Sequence, residues 1–294
     1  MALPTLPLRM SSRSPSRLAA RLDARAWFGL AVLLALVLAA LLAPWLAPHD
    51  PLEQDLLNAS LPPAWAEAGE RALPFGTDNL GRDILSRLIY GARPALIVAL
   101  AGAALAGLAG TVLGLLAGFI GGAVDTVVSR LVDVWMSFPA VLLSIVLVAV
   151  IGTGLHSVVL AIAIIDWTRF CRVIRAETMQ QARLDYVLSA RTIGLSRFKT
   201  LVVEVLPNVW PLLLTLFTLE MGIAVVVEAI LSFVGLSVSS DMPTWGSLIQ
   251  EGRLYVHQTP WLLGLPVAAI AITVLGFNAL GDGLRDSLDP MLRR

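Results

Sequence analysis

The chain has few of the residues on which disulfides and metal sites depend. Its 294 residues include one cysteine, Cys171, and three histidines. A single cysteine excludes an internal disulfide. The histidines are scattered at His49, His156 and His257, so none of them has the spacing of a metal-ligand pair. We therefore predict no metal site in this chain.

Lysine is nearly absent, and this bears on the use of ATP. A Walker A loop needs Gly-Lys-Ser or Gly-Lys-Thr because its lysine neutralises phosphate charge. The one lysine, Lys199, follows Phe198 instead of glycine. The sequence thus excludes ATP hydrolysis through a P-loop here, and we expect no catalytic residues and no cofactor in the chain. The formal net charge is zero, which argues against a nucleic-acid partner.

Charged residues are scarce overall, and apolar residues occur in long blocks. Hydrophobic residues make up 57% of the chain and charged residues 14%, a balance typical of an integral membrane protein. The first block, residues 26–48, follows a basic tail at 1–25 and is too long for the core of a signal peptide. We interpret it as an uncleaved first span. The tail carries five arginines, Arg9, Arg13, Arg17, Arg21 and Arg25.

Six spans fit the remaining blocks, at about 20 apolar residues for each crossing. Residues 134–165 are either one long span or two spans joined by a turn at 152–157. One span would place the arginine-rich segment that follows outside, against the positive-inside rule, so we favour two. Both termini are then cytoplasmic, and residues 49–93 and 237–260 are external. The other predicted spans are 94–124, about 206–236, and 261–280, and the third span begins before Val134 and includes Asp125, Arg130 and Asp133.

The second predicted span carries a stripe of small residues. Glycines recur every four residues from Gly110 to Gly122, with Gly102 and Ala106 in phase. Such a stripe allows another helix to approach closely. We therefore predict a helix-packing face, and a surface that lines a substrate path is the minority alternative.

Residues 186–208 form a basic segment between two apolar blocks. The segment divides into a helical part, a turn at Gly194 and a second helical part that reaches Pro207. Glycine permits the turn, and proline suits the first turn of the next helix. Spacing alone leaves two interpretations open: an ordinary basic loop with interfacial helices, or a short surface helix that docks into a soluble partner.

The segment resembles the coupling loop of bacterial ABC importer permeases. The signature of that family is Glu-Ala-Ala, three residues, Gly, and further on Leu-Pro. Here the matching positions are Leu188-Ser189-Ala190, Gly194 and Leu206-Pro207. Leu188 replaces the glutamate, so the resemblance implies apolar packing there instead of a charge contact. The coupling residues that it implies are Leu188, Ser189, Ala190, Arg191, Gly194, Leu195, Leu206 and Pro207.

Further segments resemble one branch of this family, the peptide/nickel type, and within it the C-type subunit of dipeptide and oligopeptide permeases. They are residues 75–93, which begin Phe75-Gly-Thr-Asp-Asn-Leu-Gly-Arg-Asp; residues 167–175, which begin Trp167-Thr-Arg-Phe-Cys-Arg; residues 228–236, which begin Glu228-Ala-Ile-Leu-Ser-Phe-Val-Gly and are followed by Pro243-Thr-Trp-Gly246; and residues 281–290, which begin Gly281-Asp-Gly-Leu-Arg-Asp. Together they cover the chain from about residue 50 to residue 290.

The resemblance implies an all-α integral membrane fold of the type I importer class. A five-helix core would span 94–290, with a coupling loop at 176–205 and a short tail at 291–294. The expected partners are a second, homologous permease, two ATPase subunits that use ATP and Mg²⁺, a periplasmic binding protein and the lipid bilayer. The expected location is the bacterial inner membrane, and the expected cargo is a di- or oligopeptide.

Several alternatives stay open at this point. An importer of nickel, a metallophore or an opine would share every quoted motif. An ion-coupled secondary transporter would need its own coupling site and usually shows inverted repeats, and a non-transporting membrane scaffold is the plainest option.

Two carboxylates, Glu220 and Glu228, lie within the fifth predicted span. Carboxylates inside the membrane are costly and are functional candidates. Eight residues place them roughly 80° apart around a helix, so both can face one cavity. They either border the substrate path and attract the ammonium group of a peptide, or they pair with an arginine or with the backbone of the partner permease.

Overall fold

The computed structural model describes residues 23–237 and 242–288, and within these ranges the regular structure is helical. The predictions for the basic tail before Asp23 and for the tail at 291–294 lie outside the described residues. Short turns stand at Leu56–Asn58 (3₁₀) and Leu201–Val205 (π). The helices are α1 Ala24–Leu46, α2 Ile84–Ile120, α3 Gly122–Met136, α4 Ala140–Ile151, α5 Leu155–Gln181, α6 Asp185–Thr192, α7 Arg197–Thr200, α8 Leu206–Phe233, α9 Trp245–Leu254 and α10 Pro260–Leu288.

Four helical stretches are long and apolar enough to cross a membrane. They are α1, α2, the continuous stretch Arg197–Phe233 and α10. A fifth candidate is the pair α3 and α4, which bends by 87° at residues 137–139. Helix α5 is not among the candidates. By length and composition the described chain thus supports four to five apolar spans, against the six expected from the sequence.

Helix α2 begins ten residues before the apolar run that predicted it. The carboxylate of Asp83 accepts hydrogen bonds from the backbone N–H groups of Leu85 and Ser86, which fixes the helix start. The helix ends at Ile120, where Gly121 has a φ of +71°. Residues 84–93, expected in the external segment, are therefore helical, and residues 121–124, expected in the span, are not part of α2.

The predicted glycine stripe is a packing face for α5. A Cβ atom added at Gly110 would lie 2.2 Å from the carbonyl oxygen of Trp167, and one added at Gly118 would lie 2.6 Å from that of Arg175. The two backbones are in direct contact, as small residues permit. Gly122 departs from the prediction: it opens α3 with a φ of +58°, and no atom lies within 4 Å of its added Cβ.

The connections between the long helices meet in two groups. In one group, the N–H of Gly154, between α4 and α5, donates to the carbonyl of Ser237, beyond α8. In the same group, Arg82 of the segment after α1 and Arg87 at the start of α2 both pair with Glu251 of α9. In the other group, Arg191 of α6 stacks over the Phe119 ring near the end of α2, 4.7 Å from its centroid. The two groups contact opposite ends of α2.

Candidate functional sites

Residues 183–200 form a basic-apolar segment at the surface, which we call the surface segment. The side of this segment that faces the long helices anchors it to them. Val187 is fully buried in a cluster with Leu115 of α2 and Ile174 of α5. The Tyr186 hydroxyl donates to Gln181 Oε1 at 2.7 Å. These contacts fix α6 against the ends of two long helices.

The outer face of the surface segment is uncovered in this chain. Leu188 is 47% exposed, and Ile193 and Phe198 are each 77% exposed. Four cations are exposed around them: Arg183, Arg191, Arg197 and Lys199. Apolar side chains rimmed by charge are typical of a protein interaction site.

Gly194 ends α6 in a conformation that other residues adopt at a cost. Its φ is +95°, and no atom lies within 4 Å of an added Cβ. Its N–H donates to the carbonyl of Arg191, and the N–H of Leu195 donates to that of Ala190, the paired bonds of a Schellman motif. The backbone turn, and not lack of space, is therefore what requires glycine here.

The remaining residues singled out in the sequence fall on both sides of this surface. Ser189 is exposed, and Ala190 is buried on the inner face. Leu206 and Pro207 form the first turn of α8, directly after the π turn. The helical stretch is continuous from Arg197 to Phe233, so the second half of the surface segment is an extension of a long apolar helix.

A cavity of about 450 Å³ lies between α4, α5, α8 and α10. Most of its lining is aliphatic, such as Ile162 and Val226, and Ser144 and Asn278 contribute neutral polar groups. The only charged lining residues in the described chain are Asp166 and Arg169 of α5.

Arg169 of α5 contacts two acidic residues at this cavity, Asp166 on its own helix and Glu220 on α8. Its Nε lies 3.6 Å from Asp166 Oδ1, and its Nη1 lies 3.6 Å from Glu220 Oε2. Asp166 and Glu220 are each 3% exposed, whereas the Arg169 side chain is 41% exposed. Glu220 is therefore behind Arg169, in the wall of the cavity. We call Asp166, Arg169 and Glu220 the charged triad.

Sequence reasoning found one of the three triad residues. It singled out Glu220 but used Arg169 only as evidence for orientation, and it did not consider Asp166. Asp166 and Arg169 are three residues apart on one helix face, which is a signal that the sequence does carry. Nothing in the sequence pairs them with Glu220.

Glu228 has different surroundings from Glu220. Its Oε1 accepts hydrogen bonds from the hydroxyls of Ser232, at 2.6 Å, and Ser237, at 3.2 Å. The hydroxyl of Thr244, which caps α9, donates to Ser232. Glu228 is thus part of a buried polar network that joins the end of α8 to the start of α9, and it does not line the cavity.

A second ionic cluster joins the segment after α1 to α9. The guanidinium of Arg87 donates to both carboxylate oxygens of Glu251, at 2.6 and 3.0 Å, and to Asp78 at 2.5 Å. Arg82 bonds the same two acids. Arg87 is 2% exposed, so this cluster is buried and bidentate, the strong form of such contacts.

Three features together indicate a transport-type membrane protein. They are the apolar helices, the cavity with charged walls and the exposed surface segment at one end. Residues 110–294 match the family described as the inner membrane component of binding-protein-dependent transport systems. Residues 23–63 match the N-terminal TM domain of oligopeptide transport permease C. The chain belongs to this family of permease subunits of ABC transport systems, whose members sit in the inner membrane and are not themselves catalytic.

Curated relatives cover most of the chain. The di/tripeptide transport system permease protein DppC of Pseudomonas aeruginosa is 40% identical over 84% of this chain and 81% of its own length. The oligopeptide transport system permease protein OppC of Bacillus subtilis is 35% identical over 82% and 77%. The glutathione transport system permease protein GsiD of Pectobacterium atrosepticum is 38% identical over 74% and 73%.

Proposed function

We propose that this chain is one permease of an ATP-driven importer for di- or oligopeptides. It would form the path with a second, homologous permease, two ATPase subunits that bind ATP and Mg²⁺, and a periplasmic binding protein. The names of the relatives support the cargo, since three of those that match are named for di/tripeptide, dipeptide and oligopeptide transport. The observation that carries the proposal is the uncovered basic-apolar surface segment, since an importer without its own ATPase needs a docking surface for one.

We infer six membrane passes with both termini in the cytoplasm. The two groups of connections at opposite ends of α2 support this, because α1, α2, the α3–α4 pair, α5, α8 and α10 then alternate in direction. Helix α5 is the charged member of the set. Its Arg175 donates to both oxygens of Asp125 on α3, and Arg169 contacts Asp166 and Glu220, so its charges within the bundle are paired.

The surface segment would transmit ATPase closure to the path. Leu188, Ser189, Arg191 and Leu195 would contact the ATPase, Ala190 would hold α6 to the bundle, and Gly194 would set the angle to α7. Leu206 and Pro207 would carry the movement into α8, which forms one wall of the cavity. Docking changes the conformation only if the two states differ in these contacts.

Two substitutions test the docking surface. Phe198→Ser removes an apolar contact from an exposed site, and Gly194→Val strains the turn in open space. Each should reduce copurification of the ATPase subunits at least tenfold and leave the amount of membrane-inserted permease unchanged.

Matched controls lie at the other end of the molecule. Leu57→Ser is the same kind of change at a residue that is 96% exposed. Gly152→Val imposes similar strain, since Gly152 has a φ of +106° and open space around it. Normal copurification with both test variants would defeat the coupling assignment.

The cargo is tested by ATP-dependent uptake in proteoliposomes that hold the chain with its partners. Labelled di- and tripeptides, glutathione among them, are compared with nickel and metallophore complexes. Uptake of peptides alone supports the proposal. Uptake of a metal complex alone would keep the transport machine and refute the peptide cargo, and uptake that follows an ion gradient without ATP would refute both.

A further inference from the structure

We propose that the charged triad of Asp166, Arg169 and Glu220 selects among peptides by charge and favours those that carry a cationic side chain in addition to the N-terminal ammonium group. The inference rests on the proposed peptide-import function and assigns the site a role within it. Three observations carry it: the position of the triad, its charge balance and its incomplete hydrogen bonding.

The triad holds the charges that act directly on the cavity. Asp166 and Arg169 are the only charged residues that line it in the described part of the chain, and Glu220 contacts Arg169 from behind. The rest of the lining is mostly aliphatic. Because charges interact strongly where few polar groups screen them, these three side chains dominate the local potential.

The triad has one negative charge in excess. Two buried carboxylates share a single guanidinium, so with both carboxylates ionised the formal charge of the three groups is −1. A buried ion pair is stable when opposite charges balance, and an excess carboxylate is costly. A positively charged substrate group in the cavity would supply the missing charge, whereas an additional carboxylate would be repelled.

The hydrogen bonds within the triad are also incomplete. Both contacts of Arg169 measure 3.6 Å, beyond the range of a good hydrogen bond. Glu220 Oε1 is buried and has no hydrogen-bond partner among the described residues. Since a purely structural ion pair is normally closed by short bonds, the long contacts of Arg169 leave the cavity-lining Asp166 and Arg169 able to bond a transient ligand.

A charge series on the full transport complex tests the proposal. Arg169→Gln takes the formal charge of the triad to −2, Asp166→Asn or Glu220→Gln takes it to 0, and the double variant of the two acids takes it to +1. Uptake of Lys-Ala, Ala-Ala and Glu-Ala is measured in proteoliposomes with one and the same binding protein at saturation. The readout is the ratio of Lys-Ala to Glu-Ala uptake, so the selectivity of the binding protein cancels between variants.

We expect the ratio to follow the charge of the triad. At a separation of about 10 Å within the protein, one unit charge changes the affinity for a singly charged substrate group by about tenfold. Because the side chains of Lys-Ala and Glu-Ala differ by two unit charges, the ratio should fall about a hundredfold in each neutral variant. It should fall further in the double variant and rise in Arg169→Gln. The exposed pair Arg130 and Asp133 on α3 provides the controls Arg130→Gln and Asp133→Asn, which should leave the ratio unchanged.

Equal loss of uptake for all three peptides, with a constant ratio, would show that the triad is structural and overturn the inference. Copurification of the partners and Ala-Ala uptake report assembly separately, and the single-acid variants keep the shape of the side chains they replace. Absence of all peptide uptake by the unsubstituted complex would refute the peptide cargo itself, and the selectivity claim with it.

Discussion

Single glycines decide how close α2 and α5 come. At Gly110 the added methyl group of alanine would meet the backbone oxygen of Trp167, which cannot move aside as a flexible side chain does. Gly264 of α10 is also helical, but no atom lies within 4 Å of its added Cβ. The two positions therefore separate the packing role of glycine from its helix propensity.

We expect Gly110→Ala to lower stability by about 1–3 kcal/mol, through overpacking. Gly264→Ala should leave stability unchanged or raise it, because alanine favours the helix. The measurement is the midpoint of thermal unfolding of the detergent-purified protein. Equal midpoints for the two variants would mean that α2 and α5 are not in backbone contact.

The residue scale also shows where sequence reasoning ends. The small-residue spacing predicted the packing face from Gly102 to Gly118, because this spacing repeats along one side of a helix. It did not reveal the partner helix, and it wrongly included Gly122, which opens the next helix. Glu220 was recognised from its cost in an apolar block, but its contact with Arg169 spans 51 positions and exists only in the folded chain.

At the scale of the elements, α9 is held in place by specific contacts from several others. Trp245 donates its indole N–H to the carbonyl of Leu88 on α2. Thr244 joins it to the Glu228 network of α8, and Glu251 joins it to Arg87. The segment at 47–83 and α9 are therefore held to the bundle by these polar contacts, together with the packing of Trp245, Leu248 and Phe75 in the apolar core.

We expect Arg87→Met to release this attachment. It leaves the fully buried Asp78 with Arg82 as its one remaining arginine partner among the described residues, and removing one member of a buried ion pair costs up to about 3–5 kcal/mol. Proteolysis from the outer side, assayed on right-side-out vesicles, should then cleave residues 49–83 much faster. Arg130→Met is the control, because that side chain is 81% exposed and its ion pair contributes little. Unchanged protection in Arg87→Met would assign the attachment to other contacts.

The sequence predicted which segments are helical better than it predicted where each helix begins and ends. Hydropathy located both ends of α1 and α8 and the start of α10 within a few residues, because their apolar blocks coincide with the helices. Helix α10 continues to Leu288, eight residues past the predicted end, through a polar last part. It placed the start of α2 too late, because Arg87 and Arg93 interrupt the apolar run in the first turns of α2, and Arg87 pairs with Glu251 of α9. The capping pattern of Asp83 and Ser86 was present in the sequence and marks the true start.

At the scale of the whole molecule, the number of membrane passes is the open prediction. Six passes place Thr153, between α4 and α5, on the same side as Leu57. If neither the α3–α4 pair nor α5 crossed the membrane, Thr153 would lie on the same side of the membrane as Phe198. Cys171 is the only cysteine and is buried, so Cys171→Ala provides a cysteine-free background.

Single substitutions Leu57→Cys, Thr153→Cys and Phe198→Cys are then labelled with a membrane-impermeant maleimide. We expect the first two to react in intact spheroplasts and the third to react only after permeabilisation. Reaction of Thr153→Cys only after permeabilisation would reduce the count to four passes.

The length of α2 gives the molecule a further property. At 1.5 Å per residue, its 37 residues measure about 55 Å, nearly twice the hydrocarbon thickness of a bilayer. Arg87 near its start is clamped to α9, and Phe119 near its end stacks with Arg191 of α6. One continuous helix thus contacts both α9 and the surface segment at 183–200. If that segment docks an ATPase as proposed, a displacement there can reach α9 along α2 without passing through the substrate cavity.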